Sequence, residues 1–430
     1  MNIGGAVQAN AGSIFWQINN LQVAATVGGT ANLTIQPRDL VRSIGLNGTG
    51  DLNLTSAEID LLQDGFSQII IGRSTSTGLI TIGAHAWLDP VTFQSPGVTG
   101  QIDLVGNLTG TGNGAFTFLA PRTNVNVSGG LTIDTAGGSV AFGAFLINNT
   151  FVLNNAITLQ SNLTIDTDGA TDGSVYLVGA INGGFALNVN AGTGAAYING
   201  NTTQTVTGIS IGGTSPLTSV TVTGGLVDLR PNIRTTGAQT YTGTNTQLYA
   251  GDFTTTGAGT GPITFNGPLT IHNAVTLTTQ NSPITFNGDV NNVAAPASSL
   301  GKGALTLRTN GGSLAFNGSV GNIFALRTVN FGSTAQVSIG NGPTDVFVAG
   351  GSLNIVADEV DFTGTVSVLP GGTISIKPFT SGVPILVGGV ETPGSPALHL
   401  SAADVAALGD GASLITIGHA PGQASAPITV

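Results

Sequence analysis

A segment of 22 residues occurs twice in this chain, once near each end. Residues 52–73 read LNLTSAEIDLLQDGFSQIIIGR, and residues 398–419 read LHLSAADVAALGDGASLITIGH, with ten of the 22 positions identical. Duplication of a block within one chain is typical of proteins that are built by stacking similar units instead of enclosing one core. The two copies, called the first and second cassette, therefore predict a repeat architecture.

Shorter repeats between the cassettes have the pattern of β-strands. Ile-Thr-Phe-Asn-Gly occupies residues 263–267 and, 21 residues later, 284–288, while a relative, Leu-Ala-Phe-Asn-Gly, occupies 314–318. Alternation places Ile and Phe on one face of the strand, and Asn-Gly favours a turn. We predict an all-β fold, a parallel β-helix of roughly 20 coils and about 95 Å, that forms one elongated segment over residues 1–430.

Each cassette also carries the sequence signature of a short helix. Thr55 is followed three residues later by Glu58, and Ser401 is followed in the same way by Asp404. A hydroxyl residue with an acid three positions further on is the signature of a capping box at a helix N-terminus. We predict two helical insertions, from Thr55 to Leu62 and from Ser401 to Leu408, that cover the side of the stacked strands.

The composition excludes several classes of partner. Only 7% of the residues are charged, and the net charge of −11 with ten Lys and Arg leaves no basic stripe for nucleic acid. The chain has no apolar run of about 18 residues, so we expect no insertion into a membrane. It has no cysteine. Since repeat-like sequence reaches both ends and the N-terminus does not resemble a signal peptide, we expect a fragment of a longer chain.

Two groups of residues are candidates for binding. Asp166, Asp168 and Asp172 lie in one Gly-bearing turn, and carboxylates at such spacing can gather oxygens around Ca²⁺; a solvated turn without metal is the alternative interpretation. Among the aromatic residues, Trp87 is the candidate for contact with a ligand. We expect the histidines (His85, His272, His399 and His419) to lie on the surface or in turns, and phenylalanines such as Phe142, Phe185, Phe265, Phe286 and Phe316 to stack in the interior.

Several phrases resemble the filamentous-haemagglutinin-like large exoproteins of Gram-negative bacteria and cyanobacteria. They are the cassette pattern L-x-L-S/T-x-x-D/E-I/V-x-x-L-x-D-G-x-S-x-I-x-I-G, TTGAQTYTG at 235–243, the Ile-Thr-Phe-Asn-Gly strands and LNIVADEVDFTG at 353–364. The resemblance implies a right-handed β-helix that is exported through an outer-membrane secretion partner and is secreted or displayed on the cell surface. It further implies an adhesin shaft that contacts host or environmental surfaces, including glycans.

Two other functions remain open from the sequence. Some β-helix proteins are polysaccharide lyases or hydrolases, which need clustered carboxylates, and stacking could bring together acids that are far apart in the chain. An ice-binding face would need a regular ladder of Thr residues over coils of equal length, whereas the spacings here vary. We therefore expect a non-catalytic segment without a cofactor, which acts as a rigid scaffold for multivalent contact.

Overall fold

The structure is a computed structural model that describes residues 1–145, 152–199, 209–249, 251–293, 303–389, 397–424 and 426–430. The chain forms two compact units, Met1–Leu217 with Thr221–Val227, and Thr218–Val220 with Asp228–Val430. The prediction of one elongated segment over residues 1–430 stays a prediction. No helix in the described ranges is long and apolar enough to cross a membrane.

Short strands make up most of the chain. In the first half the elements are β1 (Asn2–Ile3), β2 (Val7–Ala9), β3 (Ile14–Gln17), β4 (Gln22–Val23), β5 (Val27–Gly29), β6 (Asn32–Gln36), β7 (Ile44–Leu46), β8 (Leu52–Leu54), α1 (Ser56–Ile59), β9 (Gln68–Gly72), β10 (Leu79–Ile82), β11 (His85–Trp87), β12 (Val91–Gln94), β13 (Gln101–Leu104), β14 (Leu108–Gly110), β15 (Phe116–Leu119), β16 (Arg122–Val125), β17 (Leu131–Asp134), β18 (Val140–Phe142), β19 (Ala144–Phe145), β20 (Val152–Leu153), β21 (Ala156–Leu159), β22 (Leu163–Asp166), β23 (Val175–Leu177), β24 (Ile181–Asn182), β25 (Leu187–Asn190), β26 (Ala195–Ile198) and β27 (Ser210–Ile211).

The second half has the same character, with a few longer strands that bend around the coil. Its elements are β28 (Val220–Leu229), β29 (Asn232–Thr235), β30 (Gln239–Leu248), β31 (Gly251–Thr255), β32 (Ile263–Asn266), β33 (Leu269–Ile271), β34 (Val275–Thr278), β35 (Ile284–Phe286), β36 (Val290–Asn292), β37 (Ala304–Arg308), β38 (Ser313–Phe316), β39 (Leu326–Ile339), β40 (Val346–Phe362), β41 (Thr365–Val368), β42 (Gly372–Lys377), β43 (Ile385–Val387), β44 (Leu398–Leu400), α2 (Ala402–Ala407), β45 (Ala412–Ile417) and β46 (Ile428–Thr429).

In both units the strands stack as the coils of a parallel β-helix, which confirms the predicted fold class. Strands β9, β10 and β11 form one coil, and β12, β13 and β14 of the next coil pair with them in parallel. In the second unit β32, β35 and β38 stack in the same way, with Ile263 on Ile284 and Ile284 on Leu314. The hydrogen bonds of the sheets thus run between coils, so each coil depends on its neighbours.

The coils differ in length. Ile14 pairs with Leu33, 19 residues further on, whereas Leu33 pairs with Ile69, 36 residues further on, because the first cassette lies in that coil. Most of the steps between stacked strands exceed the 21 residues that separate the Ile-Thr-Phe-Asn-Gly repeats. The length of a coil therefore varies along the described parts of the chain, and the number of roughly 20 coils stays a prediction.

The cassettes fold alike. Thr55 and Ser401 are the N-caps of α1 and α2, as predicted, and each forms a complete capping box, with Glu58 and with Asp404. The helices are shorter than predicted, since α1 ends at Ile59 and α2 at Ala407. The acidic residue also accepts a hydrogen bond from a strand of its own unit: Glu58 from the N–H of Val23 at 3.1 Å and Asp404 from the N–H of Phe362 at 2.8 Å. Each helix is thereby attached to the side of the stacked coils, as predicted.

The interior of the second unit contains a ladder of parallel phenylalanine rings. The ring centroids of Phe265 and Phe286 are 5.4 Å apart and those of Phe286 and Phe316 are 4.7 Å apart, with interplanar angles of 5° in both pairs. All three side chains are buried, as is Phe142 in the first unit. Phe185 is different. It lies in the bend after β24 and is 37% exposed, so the prediction of an interior position is wrong for this residue.

Deletion of one whole coil should leave the second unit folded. Residues 268–288 contain β33, β34 and β35, and β36 already stacks on β33 with Val290 on Leu269. After the deletion β36 can take the place of β33, because equivalent coils make equivalent contacts. We expect a β-rich circular dichroism spectrum and a cooperative thermal transition.

A shorter deletion is the matched control. Removal of residues 268–278 takes away β33 and β34 but keeps β35, which leaves an incomplete coil. We expect this variant to lose the cooperative transition. If both deletions unfold the unit equally, the coils are not interchangeable.

Candidate functional site

The three aspartates of the calcium prediction share the turn between β22 and β23. Oδ2 of Asp172 accepts hydrogen bonds from the N–H of Thr193 at 2.6 Å and from its hydroxyl at 2.5 Å, and Oδ1 accepts one from the N–H of Gly169 at 2.9 Å. These bonds, the Thr193 hydroxyl first, lower the pKa of Asp172 to about 2. The Asp172 carboxylate therefore attaches this turn to the next coil, through Thr193.

The other two acids of this turn also accept hydrogen bonds, and Oδ2 of Asp168 accepts one from the side-chain amide of Asn190 at 3.5 Å. Oδ1 of Asp166 accepts hydrogen bonds from the N–H of Asp168 and from the side-chain amide of Asn190, each at 3.1 Å. Within the described ranges no three His, Cys, Asp or Glu residues are grouped so that they could hold a metal ion. Calcium binding by Asp166, Asp168 and Asp172 stays a prediction.

Trp87 lies inside the first unit. Its side chain is 2% exposed and contacts the rings of His85 and Phe93 edge-on, at centroid distances of 5.1 and 5.8 Å. A ring enclosed in this way has no face for a ligand. The prediction that Trp87 contacts a ligand is therefore wrong, and its role is packing.

Two histidines are more buried than predicted: His399 in strand β44 is 3% exposed, and the side chain of His85 in β11 is 6% exposed. Nδ1 of His85 is 3.2 Å from the Ser56 hydroxyl, and Nε2 is 3.7 Å from the Asp60 carboxylate. The second distance is too long for a hydrogen bond, so Asp60 does not orient the ring as the third member of a catalytic triad would. Burial lowers the pKa of His85. The contact attaches α1 to the next coil.

A different cluster, in the second unit, has the features of a binding site. Arg230, Tyr249 and His272 each follow the last residue of a strand, at Leu229, Leu248 and Ile271. The guanidinium carbon of Arg230 lies 3.8 Å from the centre of the Tyr249 ring, and the Tyr249 and His272 rings stack at 4.0 Å with an angle of 16°. Successive coils thus build a column of three flat groups.

The base of this column is a buried ion pair. Asp228 is 1% exposed and Arg230 is 8% exposed, and the two form a bidentate salt bridge with N–O distances of 2.7 and 2.9 Å. The Tyr249 hydroxyl donates to the side-chain carbonyl of Gln247 at 2.8 Å. Burial is the main cause that raises the pKa of Tyr249 and lowers the pKa of His272. The imidazole of His272 is therefore neutral at neutral pH.

A cavity of about 320 Å³ opens beside His272. Its volume lies near the lower end of the range of about 300–1,000 Å³ that is usual for small-molecule sites. We call it the Phe324 groove and define it by six of the residues that line it, which are Gln247, His272, Asp289, Asn291, Ile323 and Phe324.

The apolar side of the Phe324 groove is displayed to solvent. Ile323 is 69% exposed and Phe324 is 43% exposed. The side-chain carbonyl of Asn291 accepts hydrogen bonds from the backbone N–H of both residues, at 3.0 and 3.2 Å. An amide of the preceding coil thus fixes the backbone of the bend that carries the exposed Phe324 ring.

The polar side of the groove is fixed by Asp289. Its Oδ1 accepts from the N–H of Ser319 at 2.9 Å, and its Oδ2 accepts from the side-chain amide of Asn322 at 3.0 Å. An ionised carboxylate has about four acceptor positions, so each oxygen keeps one for a ligand. The groove combines an aromatic face, amides and one carboxylate, which is a set of groups that can bind a polar ring with an apolar face.

Comparison of the chain with protein-family models, with curated proteins and with solved structures found no match. The structure itself defines the class of protein: a parallel β-helix that carries two helical cassettes and a groove on the second unit.

Proposed function

We propose that this chain is a non-catalytic adhesive segment of a secreted bacterial surface exoprotein and that the Phe324 groove contacts carbohydrate. The observation that carries the proposal is the exposed Phe324 ring, which lines the same cavity as His272 and whose backbone N–H is bound by Asn291. Sugar rings have an apolar face of C–H groups and a rim of hydroxyls, which match an aromatic ring and neighbouring amides. Pockets that combine an apolar wall with a few polar groups are usual for small ligands.

The rest of this proposal comes from the resemblance of the cassettes and strand phrases to filamentous-haemagglutinin-like exoproteins. On that basis the segment is exported through an outer-membrane partner and works outside a Gram-negative or cyanobacterial cell. A single shallow groove gives weak binding, but many copies on one surface act together because each further contact is effectively intramolecular. Adhesion of this kind needs a stable scaffold more than a deep pocket.

The enzymatic alternative is less well supported by the groove. Polysaccharide hydrolysis uses a pair of carboxyl groups about 5–9.5 Å apart. Among the described residues that line the cavity Asp289 is the one acid, and both of its oxygens accept hydrogen bonds from the chain. We expect no release of reducing ends or unsaturated products from polysaccharides that the protein binds.

The test is binding of the 430-residue chain to an array of immobilised oligosaccharides. Phe324→Ala should weaken binding by about 2- to 12-fold, which corresponds to the 0.5–1.5 kcal/mol typical of an aromatic contact. Phe185→Ala is the matched control, because Phe185 is 37% exposed against 43% for Phe324 and both lie in bends.

Comparison of the two variants distinguishes binding by the groove from nonspecific binding by any exposed aromatic ring. Equal loss in both would mean that any exposed ring of this surface contributes. Absence of binding by the unmodified chain to every sugar of the array would refute the carbohydrate function.

A further inference from the structure

We propose that the Phe324 groove selects its sugars by charge: it prefers amino sugars, accepts neutral sugars and rejects uronic acids and other anionic sugars. This inference rests on the proposed carbohydrate function and specifies its ligand class. It is carried by the charges that face the groove and by the way in which the groove's carboxylate is held.

The first argument is the balance of charge around the groove. The lining residues that the structure describes include Asp289 but neither Lys nor Arg. The guanidinium of Arg230, at the base of the column that includes His272, forms a bidentate pair with Asp228, so its charge is compensated. His272 is neutral at neutral pH because burial lowers its pKa. Among the described residues that line the groove, the net charge facing a ligand is therefore that of one carboxylate.

The second argument is geometric. Asp289 holds Ser319 and Asn322 of the next coil, and Asn291 holds Ile323 and Phe324 of the same coil. Asp289, directly before strand β36, and Asn291, within it, thus connect both sides of the groove to the same strand. Because Phe324 and Asp289 line the same groove, an amino sugar that contacts the Phe324 ring can direct its ammonium group to the Asp289 carboxylate.

The net charge of the whole chain also favours cationic ligands over anionic ones. Its net charge is −11, and long-range repulsion slows the approach of polyanions and favours polycations. This general effect must be separated from the local effect of Asp289, and the test is designed for that purpose.

The experiment compares three soluble oligomers of equal length: β-1,4-linked glucosamine, its N-acetylated form and galacturonic acid. The first two share a backbone and differ in charge. We expect glucosamine oligomers to bind up to about fivefold more tightly than the N-acetylated form, the effect of a partly exposed ion pair, and this preference should shrink in high salt. Galacturonate oligomers should bind most weakly.

The variants assign the preference to one residue. Asp289→Asn should abolish the preference for glucosamine, so that the ratio of the two affinities falls to about one, and circular dichroism with thermal melting checks separately that the variant is folded. Asp252→Asn is the matched control: it changes the net charge equally, and Asp252 is exposed on the same unit but does not line the groove. It should retain the preference.

The outcomes distinguish the two proposals. If the N-acetylated oligomer binds and Phe324→Ala weakens it, but all three oligomers bind alike or galacturonate binds best, the carbohydrate function stands and the charge selection is overturned. If Asp252→Asn removes the preference as fully as Asp289→Asn, selection belongs to the whole surface and the inference is likewise overturned. If none of the oligomers binds, both proposals fail.

Discussion

Replacement of Phe286 by alanine is expected to lower the free energy of unfolding of the second unit by about 3–5 kcal/mol. The ring is 1% exposed and lies between Phe265 and Phe316, parallel to both within 5°. Removal of the ring loses its burial and leaves a cavity between two rings that are fixed to their own coils by backbone hydrogen bonds. Urea denaturation followed by circular dichroism measures the change.

The position of Phe286 makes this effect larger than that of an ordinary surface substitution. In a stacked fold each coil is stabilised by its two neighbours, and the ring contributes to both interfaces at once. Phe185→Ala, at an exposed position, serves as the control and should change stability by no more than about 0.5 kcal/mol. A loss below about 1 kcal/mol for Phe286→Ala would show that the neighbouring coils close over the gap.

The ladder was predictable from the sequence because it depends on local patterns. In Ile-Thr-Phe-Asn-Gly, alternation fixes which side chains point inward, and recurrence of the phrase fixes which strands stack, as the pairing of Phe265 with Phe286 confirms. The capping boxes were equally accessible, because the residues that form each box lie three positions apart. A pattern that is complete within a few residues predicts its local structure well, because that structure depends little on residues far away in the chain.

The two wrong predictions concern aromatic residues whose position in the fold outweighs their type. Trp87 has the chemistry of a ligand contact, yet it stands two residues after His85 on the same face of β11 and packs inward with it. Phe185 is of a residue type that fills the interior, but it follows Gly183 and Gly184 in a bend. The alternation between the two faces of a strand favours burial for Trp87.

The Phe324 groove could not be predicted in this way. Its residues come from coils whose loops differ in length, so Gln247, His272, Asn291 and Phe324 have no common spacing in the sequence. A weak signal exists: Arg230, Tyr249 and His272 each stand directly after the end of a strand. This signal points to a common site only when the strands are known to stack on the same face of the β-helix, and the structure is needed to show that stacking.

Replacement of Arg230 by methionine is expected to destabilise the second unit by about 3–5 kcal/mol. Asp228 is 1% exposed, and without the guanidinium its carboxylate is left as a buried charge that has lost its bidentate partner. The substitution also removes the cation from the face of Tyr249, where it lies 3.8 Å from the ring centre. The measurement is the midpoint and slope of a urea transition for the wild-type chain and the variant.

The double variant Asp228→Asn with Arg230→Met shows which of these losses dominates. Desolvation of two charges offsets much of their attraction, so replacement of both partners is often close to neutral, whereas loss of one is severe. We therefore expect the double variant to recover most of the stability that Arg230→Met loses. If instead the double variant is as unstable as Arg230→Met, the packing of Arg230 on Tyr249 and not its charge stabilises the column. In that case the groove depends on a stacked surface from Arg230 to His272, and carbohydrate binding should fall together with stability in both variants.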